Sequence, residues 1–235
     1  MSEQVNQKRS LRVLIAEDHE LTKIGLIHSL EKSEFIDVVG DAEDGQEAVK
    51  KALSLKPDIV LMDLGMPILD GIQATKQIKK HLPATKIVIL TSHKKENEVL
   101  AALTSGANAY CLKDIRLERL IHALEFVMDG GLWIDPAIAD IIMSVIAQDR
   151  LEKKEILIET SDGQIKSKMT PRELEVLDYL VEGYSNKDIA EHLNISIYTV
   201  KRHISGIIEK LAVLDRTQAA IKALKIGIIK AKGNN

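Results

Sequence analysis

Five short apolar runs in the first 128 residues place the strongest constraint on the fold. Each run is four to six residues long and rich in β-branched side chains, which is typical of strands buried on both faces of a sheet. Segments with helical periodicity lie between the runs. This alternation predicts an α/β domain with a doubly wound, five-stranded parallel sheet. The predicted strands cover residues 11–16, 36–40, 58–62, 86–90 and 109–112, and the predicted helices cover residues 20–30, 46–55, 72–81, 96–105 and 117–128.

A different pattern follows Gly130 and Gly131, which interrupt the alternation. Asp135 and Pro136 suit the N-cap and the first position of a new helix. That helix carries an apolar stripe at helical spacing. The stripe can pack on either domain or pair with a second copy of the chain, and we favour packing. Its members are Ile138, Ile141, Ile142, Val145 and Ile146.

The last third of the chain has the pattern of four helices. Thr170 and Glu173 form a capping box around Pro171 at the first helical position, which is a strong helix start. We therefore divide the chain into a domain at residues 11–128, a linker with an amphipathic helix at 129–168, and an all-α domain at 169–235. The later helices are predicted to begin at Ser185, at Ser196, and at Asp215 or Thr217, and the last of them to end near residue 229.

The net charge of −3, from 32 basic and 35 acidic residues in a chain of 235, disfavours a nucleic-acid partner when taken as an average. The charge is unevenly distributed, however. Residues 170–200 carry a net charge of −4, whereas residues 201–235 carry +6. A basic stretch of this kind can meet phosphates, although a solvated lysine-rich tail has the same composition.

Composition excludes several classes of protein. A single cysteine, Cys111, rules out an intramolecular disulfide framework and a cysteine-based zinc site. Seven aromatic residues are too few for a protein that stacks bases of single-stranded nucleic acid. We find no targeting signal and no apolar run of roughly 20 residues, so we expect a cytoplasmic protein without a membrane partner.

Side chains suited to a metal and a phosphoryl group follow several predicted strands. Glu17 and Asp18 follow the first strand and Asp63 ends the third. Because the carboxyl ends of parallel strands meet at one edge of a sheet, these carboxylates should lie together and require a cation. Hard oxygen ligands of this kind suit Mg²⁺, which also bridges to phosphate. Thr91 follows the fourth strand and Lys113 the fifth.

Asp63 is the predicted nucleophile of this cluster. We expect it to be the most buried of the three carboxylates and to form an acyl phosphate. A lysine ammonium and a threonine hydroxyl, from Lys113 and Thr91, are suitable partners for the phosphoryl oxygens.

The motifs around these residues resemble the receiver domains of two-component response regulators. The strings are Ala-Glu-Asp-His at 16–19, Met-Asp-Leu-Gly-Met-Pro at 62–67, Asp-Gly at 70–71, Leu-Thr-Ser at 90–92 and Ala-Tyr-Cys-Leu-Lys-Asp at 109–114. The resemblance implies a flavodoxin-like fold over about residues 11–128. It also implies that Asp63 accepts phosphate from a sensor histidine kinase.

The same resemblance implies further roles. Glu17, Asp18, Asp63 and the Gly65 carbonyl would hold Mg²⁺, Thr91 and Lys113 would contact the phosphoryl oxygens, and Tyr110 would be the aromatic switch residue. Glu17 stands where many receivers have Asp, and Asp114 where many have Pro, but neither change removes a required chemical group.

The third predicted tail helix has two distinct faces. Val200, Ile204, Ile207 and Leu211 cluster on one side, and polar and basic residues occupy the other. A short helix, a three-residue turn and this second helix with its basic N-terminal half have helix-turn-helix geometry. Such a helix enters the major groove of double-stranded DNA.

The amino-acid sequence of the tail resembles that of the LuxR-type DNA-binding domain over about residues 167–231. The matching strings are Met-Thr-Pro-Arg-Glu-Leu-Glu-Val-Leu at 169–177, Ser-Asn-Lys-Asp-Ile-Ala at 185–190 and Ile-Ser-Ile-Tyr-Thr-Val-Lys-Arg-His at 195–203. The whole chain therefore resembles a response regulator of the NarL/FixJ subfamily. Carried over by position, the base contacts are Lys201, Arg202 and Ser205, and the phosphate contacts are Lys187, Tyr198, Thr199, His203 and Lys210.

We therefore expect a transcriptional regulator controlled by aspartyl phosphorylation, whose unphosphorylated domains contact each other and hide the recognition helix, or simply stay monomeric. Activation would produce a homodimer on DNA, with Ala219, Ala220 and Ala223 as its surface. RNA polymerase is a further candidate partner. Two alternatives stay open: a regulator controlled by a protein partner without phosphorylation, and a phosphohydrolase. The phosphohydrolase would need a second carboxylate where Gly65 stands, so we do not expect an enzyme.

Overall fold

The computed structural model describes residues 10–142, 169–213 and 215–229. Its N-terminal part is a parallel sheet with the strand order β2-β1-β3-β4-β5-β6. The strands are β1 (Leu11–Ala16), β2 (Ile36–Ala42), β3 (Ile59–Met62), β4 (Lys86–Thr91), β5 (Ala109–Leu112) and β6 (Trp133–Ile134). The helices between them are α1 (Glu20–Leu30), α2 (Gly45–Leu55), α3 (Gly71–His81), α4 (Glu96–Thr104) and α5 (Leu117–Met128).

The sheet has one strand more than predicted. The alternation of five strands and five helices is confirmed, with element ends that differ from the prediction by at most two residues. The sixth strand, β6, is only two residues long and pairs in parallel with β5. A two-residue strand just after a Gly-Gly pair is too short to show any periodicity, so the sequence did not reveal it.

Alternating side chains of the strands form two apolar layers, one on each face of the sheet. Leu14 and Ala16 belong to the layer shared with α2, α3 and α4, whereas Val13 and Ile15 belong to the layer shared with α1 and α5. Since both faces are covered, β3 and β5 are buried along their whole length, whereas the edge strand β2 carries Asp37 and Asp41. The binding crevice of such a sheet lies at the carboxyl ends of its strands.

The segment after β6 packs on this first domain. Residues 136–142 are helical, and Ala137 N donates to Asp135 Oδ1 at 3.0 Å, as expected of an N-cap. Ile138 and Ile142 are buried in the layer that contains Leu14. Of the alternatives for the apolar stripe, packing against the sheet domain therefore holds for this part. Val145 and Ile146 lie outside the described residues.

The C-terminal part is helical, as predicted. Its helices are α6 (Pro171–Val181), α7 (Asn186–His192), α8 (Ile197–Leu211) and α9 (Arg216–Lys225). Thr170 and Ser185 each form the reciprocal capping box at the start of α6 and α7. Within the described parts of the chain, no helix combines the length and apolarity needed to cross a membrane.

The last helix ends about four residues earlier than predicted. Gly227 has a φ of +72°, a left-handed conformation that glycine adopts at little cost. Ile228 N then donates to Ala223 O at 3.0 Å and Gly227 N to Leu224 O at 3.2 Å. The apolar pattern continues through this turn because Ile228 and Ile229 pack into the helical core, which is why periodicity alone predicted a longer helix.

The two domains contact each other through α4 and α9. Ile221 and Leu224 of α9 are buried in the apolar layer of the sheet domain, and Gln218 Nε2 donates to Thr104 O at 2.7 Å. A second contact joins Asn186 N to Asp129 O at 3.3 Å. The domain contact therefore covers one side of α9.

Two basic side chains, those of Lys79 and Arg216, lie at this boundary near Asp215. Burial lowers the pKa of Lys79 to about 8, while the charge of Asp215 acts in the opposite direction. Burial also lowers the pKa of Arg216 to about 10, and that guanidinium bonds Tyr184 O at 2.7 Å and Asn186 Oδ1 at 3.1 Å. Asp215 is thus the carboxylate that offsets positive charge where the two domains meet.

A charge placed in this contact should separate the domains. In Ile221→Asp, a carboxylate would replace an apolar side chain that is 6% exposed, at a cost of several kcal/mol if the contact stayed closed. We expect an increased radius of gyration in small-angle scattering, with the helical content unchanged in circular dichroism. Lys225→Asp, on a more exposed side of α9, is the control and should leave the radius unchanged. An unaltered radius for Ile221→Asp would contradict the contact.

Candidate functional site

Three carboxylates meet at the carboxyl ends of β1 and β3. Glu17, Asp18 and Asp63 each offer an oxygen, and these atoms all lie within 4.8 Å of one another. The strands bring them together because Ala16 and Met62 are paired in the parallel register and Asp63 N donates to Ala16 O at 2.9 Å. Asp18 is exposed, Asp63 is 7% exposed and Glu17 only 2% exposed, so the prediction that Asp63 is the most buried of the three carboxylates is wrong. The sequence-predicted acidic cluster is therefore assembled.

Lys113 supplies the positive charge of the cluster. Its Nζ donates to Glu17 Oε2 at 2.7 Å and to Asp63 Oδ2 at 2.9 Å. Burial alone would lower the pKa of Lys113, but the hydrogen bonds to the two carboxylates outweigh it and raise the pKa. Lys113 is held in place by its own backbone, since its N donates to Thr91 O at 3.0 Å. The ammonium therefore stays charged between the two buried acids.

The loop after Asp63 is held close to that residue. Leu64 N donates to Asp63 Oδ1 at 2.7 Å. Gly71 lies so near that a Cβ on it would stand 2.0 Å from the Asp63 carbonyl oxygen, so only glycine fits there. One carboxylate oxygen of Asp63 is thus engaged by a backbone amide and the other by Lys113.

Thr91 and Tyr110 lie beside the cluster rather than in contact with its carboxylates. Thr91 is fully buried, and its Oγ1 accepts from His93 N at 3.3 Å. Tyr110 is also fully buried, and its hydroxyl donates to His93 O at 2.9 Å. Burial, together with the charges of Glu98 and Asp63, raises the pKa of Tyr110. The side chain of the expected switch residue therefore points inward in this structure, as a neutral phenol.

His93 is a site residue that the sequence analysis did not single out. A Cβ built on Gly65 would lie 3.4 Å from His93 Nε2 and 3.9 Å from Asp63 Oδ2, so the imidazole lies near the acidic cluster, with Gly65 between them. His93 Nδ1 is 2.8 Å from Glu98 Oε2. The signal available in the sequence was a histidine two residues after Thr91, followed by an acid in the next helix.

Most predicted DNA contacts lie on the accessible side of the helix-turn-helix unit. Ser196 caps α8, with Thr199 N donating to its Oγ at 3.0 Å, so that residues of the first turns project from a fixed helix start. Tyr198 is 78% exposed. His203 and Thr199 are half-buried. The exposed members of the predicted set are Lys187, Tyr198, Lys201, Arg202 and Ser205.

Lys210 differs from the other predicted phosphate contacts. Its Nζ donates to both carboxylate oxygens of Glu173, at 2.7 and 2.6 Å. Burial acts to raise the pKa of Glu173, but hydrogen bonds from Lys210 and Thr170 outweigh it and lower the pKa. The pair joins α8 to α6, so the charge of Lys210 is already neutralised within its own domain.

The residues predicted for the dimer surface on α9 are buried in this structure. Ala219, Ala220 and Ala223 are at most 3% exposed and pack in the core of the helical domain, and Ala220 also lines the cleft toward Leu103 and Ile142. Ile221 and Leu224 lie on the side of α9 that faces the sheet domain, and the sheet domain covers them. The expectation of a hidden recognition helix also differs from the structure, since Tyr198, Lys201 and Arg202 remain exposed.

Comparison with known proteins gives a family for each part of the chain. Residues 13–125 match the response regulator receiver domain, and residues 167–223 match the bacterial regulatory proteins of the luxR family. A receiver joined to a helix-turn-helix domain is the architecture of a regulator rather than of an enzyme.

Similar proteins extend over almost the whole chain. The response regulator protein VraR of Staphylococcus epidermidis is 39% identical over 94% of this chain and 100% of its own. The transcriptional regulatory protein DegU of Brevibacillus brevis is 36% identical over 99% of this chain and 100% of its own.

Solved structures of response regulators share the fold. ChrA, the response regulator of a heme-sensing two-component system, is 30% identical with a TM-score of 0.50 over 94% of this chain and 99% of its own. A structure of two RcsB dimers bound to two parallel DNAs is 25% identical with a TM-score of 0.53, covering 94% of this chain and 100% of that one. The chain therefore belongs to the response regulators that join a receiver domain to a LuxR-type DNA-binding domain, and it is a phosphorylation-controlled transcriptional regulator.

Proposed function

We propose that Asp63 accepts a phosphoryl group from a sensor histidine kinase and that the modified receiver releases the DNA-binding domain to act as a dimer. The observation that carries the proposal is the convergence of Glu17, Asp18 and Asp63 at the strand ends, with Lys113 bonded between Glu17 and Asp63. We keep the predicted division at residues 128 and 169 as part of the proposal.

Mg²⁺ is the proposed cofactor of this site. The three carboxylates form a set of hard oxygen donors, and they retain an excess of negative charge beside a single ammonium, so the residues present fit a hard divalent cation. Glu17, Asp18, Asp63 and the carbonyl of Gly65 would hold it. When bound, Mg²⁺ would supply charge neutralisation for the phosphoryl oxygens.

The proposed reaction is an attack by a carboxylate oxygen of Asp63 on the phosphorus of a phosphorylated imidazole. The phosphorus–nitrogen bond breaks, and its electron pair stays on the imidazole nitrogen, which takes up a proton. Lys113 stands 2.9 Å from Asp63 Oδ2 and offsets the charge that arrives with the phosphoryl group. The hydroxyl of Thr91 is the proposed second contact to a phosphoryl oxygen.

Helix α4 is the proposed link between the two domains. Its first turn contains Glu98, which bonds His93 beside the site, and its last residue is Thr104, which accepts from Gln218 of the DNA-binding domain. A shift of α4 on phosphorylation would alter both contacts, because one helix of nine residues carries them. We propose that Ile221 and Leu224, once uncovered, become the contact with a second copy of the chain.

A dimer would present two recognition helices to successive major grooves. The basic residues of α8 and α7 support this role, since Lys201, Arg202 and Lys187 are exposed and none carries a described ion pair. Lys201, Arg202 and Ser205 are the proposed base contacts. Lys187, Tyr198, Thr199 and His203 are the proposed phosphate contacts, and Lys210 would join them only by leaving Glu173.

Replacement of the acceptor should abolish phosphorylation. We expect wild-type protein incubated with phosphoramidate and Mg²⁺ to gain the mass of one phosphoryl group and to bind DNA more tightly. Asp63→Asn should gain neither, because an amide oxygen is a poor nucleophile, and chelation with EDTA should prevent the gain in wild type. Asp114→Asn, an exposed acid beside Lys113, is the matched control and should behave as wild type. Mass gain by Asp63→Asn would overturn the assignment.

Base and phosphate contacts should be separable by salt. Lys201→Ala should lose about 1–3 kcal/mol of binding to the specific site while hardly affecting random DNA. Lys187→Ala should weaken binding to all sequences alike and should reduce the slope of log K against log salt by about 0.9. Fluorescence anisotropy on specific and random duplexes over a salt series measures both effects. Equal losses on the two duplexes for both variants would show that the assignments are wrong.

A further inference from the structure

We infer that the neighbouring side chains of Ile197 and Tyr198 recognise thymine, by packing against the 5-methyl groups that this base presents in the major groove of DNA. The inference rests on the proposed function, because it concerns the bases that the same recognition helix selects. It adds a role for the ring of Tyr198 to the phosphate contact proposed for that residue. Its effect would be a preference for A·T pairs beside the bases that Lys201 contacts.

The first observation is where the helical domain leaves large apolar side chains in contact with water. Ile197 is 45% exposed and Tyr198 is 78% exposed. Among the described residues of the helical domain, no other large apolar side chain is exposed. Val200 and Ile204, which follow on the same helix, are buried in the core. Two adjacent apolar side chains on an otherwise polar surface indicate a binding surface.

The second observation is the position of Tyr198 on α8. It is followed, three, four and seven residues later, by the proposed base contacts Lys201, Arg202 and Ser205. Residues at these spacings share one face of a helix. Ile197 lies four residues before Lys201 and therefore borders the same face. The apolar pair thus continues the proposed base-contacting face to the start of the helix, and the N-terminal residues of a recognition helix are those that reach base edges.

The third observation is that the main chain of the pair is fixed while the side chains are free. Ser196 caps α8, because its Oγ accepts from Thr199 N at 3.0 Å and its carbonyl oxygen from Val200 N at 3.1 Å. Among the residues that the structure describes, none stacks on the Tyr198 ring or bonds its hydroxyl. Substitution of either side chain therefore leaves the helix start intact.

The other tyrosines of the domain provide a contrast. Tyr179 and Tyr184 contact each other with ring centroids 5.4 Å apart, and each also contacts the ring of His192. Their rings already have partners within the domain. The ring of Tyr198 can bury its area only in a complex.

Thymine is the base whose major-groove edge suits this pair. All four bases present hydrogen-bonding atoms in the major groove, but only thymine adds a methyl group. An isoleucine side chain makes no hydrogen bonds, so the methyl group is the feature by which Ile197 can distinguish one base from another. The loss of one such methyl contact should weaken binding about fourfold.

The test removes the methyl group from the DNA. Full-length protein with phosphoramidate and Mg²⁺ selects its binding site from a library of random duplexes, and the selected duplex is then made with deoxyuridine in place of each thymine in turn. We expect A·T pairs to be enriched in each half-site. We also expect at least one replacement to weaken wild-type binding about fourfold in fluorescence anisotropy, while the same replacements in a random duplex have no effect.

Matched variants assign the methyl effect to the pair. The double variant Ile197→Ala/Tyr198→Ala should bind the thymine and deoxyuridine duplexes equally, because no side chain is left to contact the methyl group. Tyr198→Phe keeps the ring and should keep the effect of the methyl group. Glu209→Gln, at an exposed position in the last turn of α8, is the control and should also keep the wild-type ratio of the two affinities.

Three outcomes would overturn the inference while leaving Lys201 as a base contact. The first is a selected duplex on which no deoxyuridine replacement weakens wild-type binding. The second is a methyl effect that persists in the double variant, since another side chain would then recognise thymine. The third is a double variant that binds DNA as wild type does but fails in transcription, which would mean that the pair docks on a protein. If wild type selected no sequence at all, the proposed function itself would be wrong.

Discussion

The ion pairs of Lys113 are the interaction on which the site depends. Two buried carboxylates, Glu17 and Asp63, share its ammonium, and a third acid lies within 4.8 Å. Leaving either buried acid without its partner would carry a large desolvation cost. The sheet makes the pairing possible because parallel strands deliver all of these residues to one edge. A phosphoryl group on Asp63 would change the charge at this edge, and neighbouring groups would rearrange in response.

The neighbouring groups lead from the site towards the second domain. Thr91 and Tyr110 both bond the backbone of His93, and the ring of His93 bonds Glu98 in the first turn of α4. The far end of α4 meets α9 through Thr104 and Gln218. A short helix that touches the acidic site at one end and the DNA-binding domain at the other is a physical connection between phosphorylation and the arrangement of the domains.

The receiver covers one surface of the DNA-binding domain, and the identity of that surface indicates how the regulator is restrained. Concealment of the recognition helix was one of two arrangements that we expected, yet Tyr198 is exposed and the covered side is that of α9. Restraint would then act on assembly, because two copies could not pair through Ile221 and Leu224 while these side chains pack on the receiver.

Strongly periodic features could be predicted from the sequence. The five longer strands, the helix caps and the cluster of Glu17, Asp18 and Asp63 follow from local pattern and from the rule that parallel strands end together. Features that depend on tertiary contact could not be predicted. Lys210 pairs with Glu173, and His93 approaches Gly65, although the residues of each pair are far apart in sequence. The α9 alanines face the core of the helical domain, which periodicity alone does not assign.

The most direct test of the link is a distance between the two domains measured with and without phosphate. Spin labels on cysteines introduced at Lys80 and Glu191 would occupy exposed positions in α3 and α7, while Cys111 stays unlabelled because burial raises the pKa of its thiol to about 12. With labelled protein diluted in unlabelled protein, we expect one narrow distance distribution that becomes broader after phosphorylation. The Asp63→Asn background should keep the narrow distribution. An identical distribution in fully phosphorylated protein would contradict release of the DNA-binding domain.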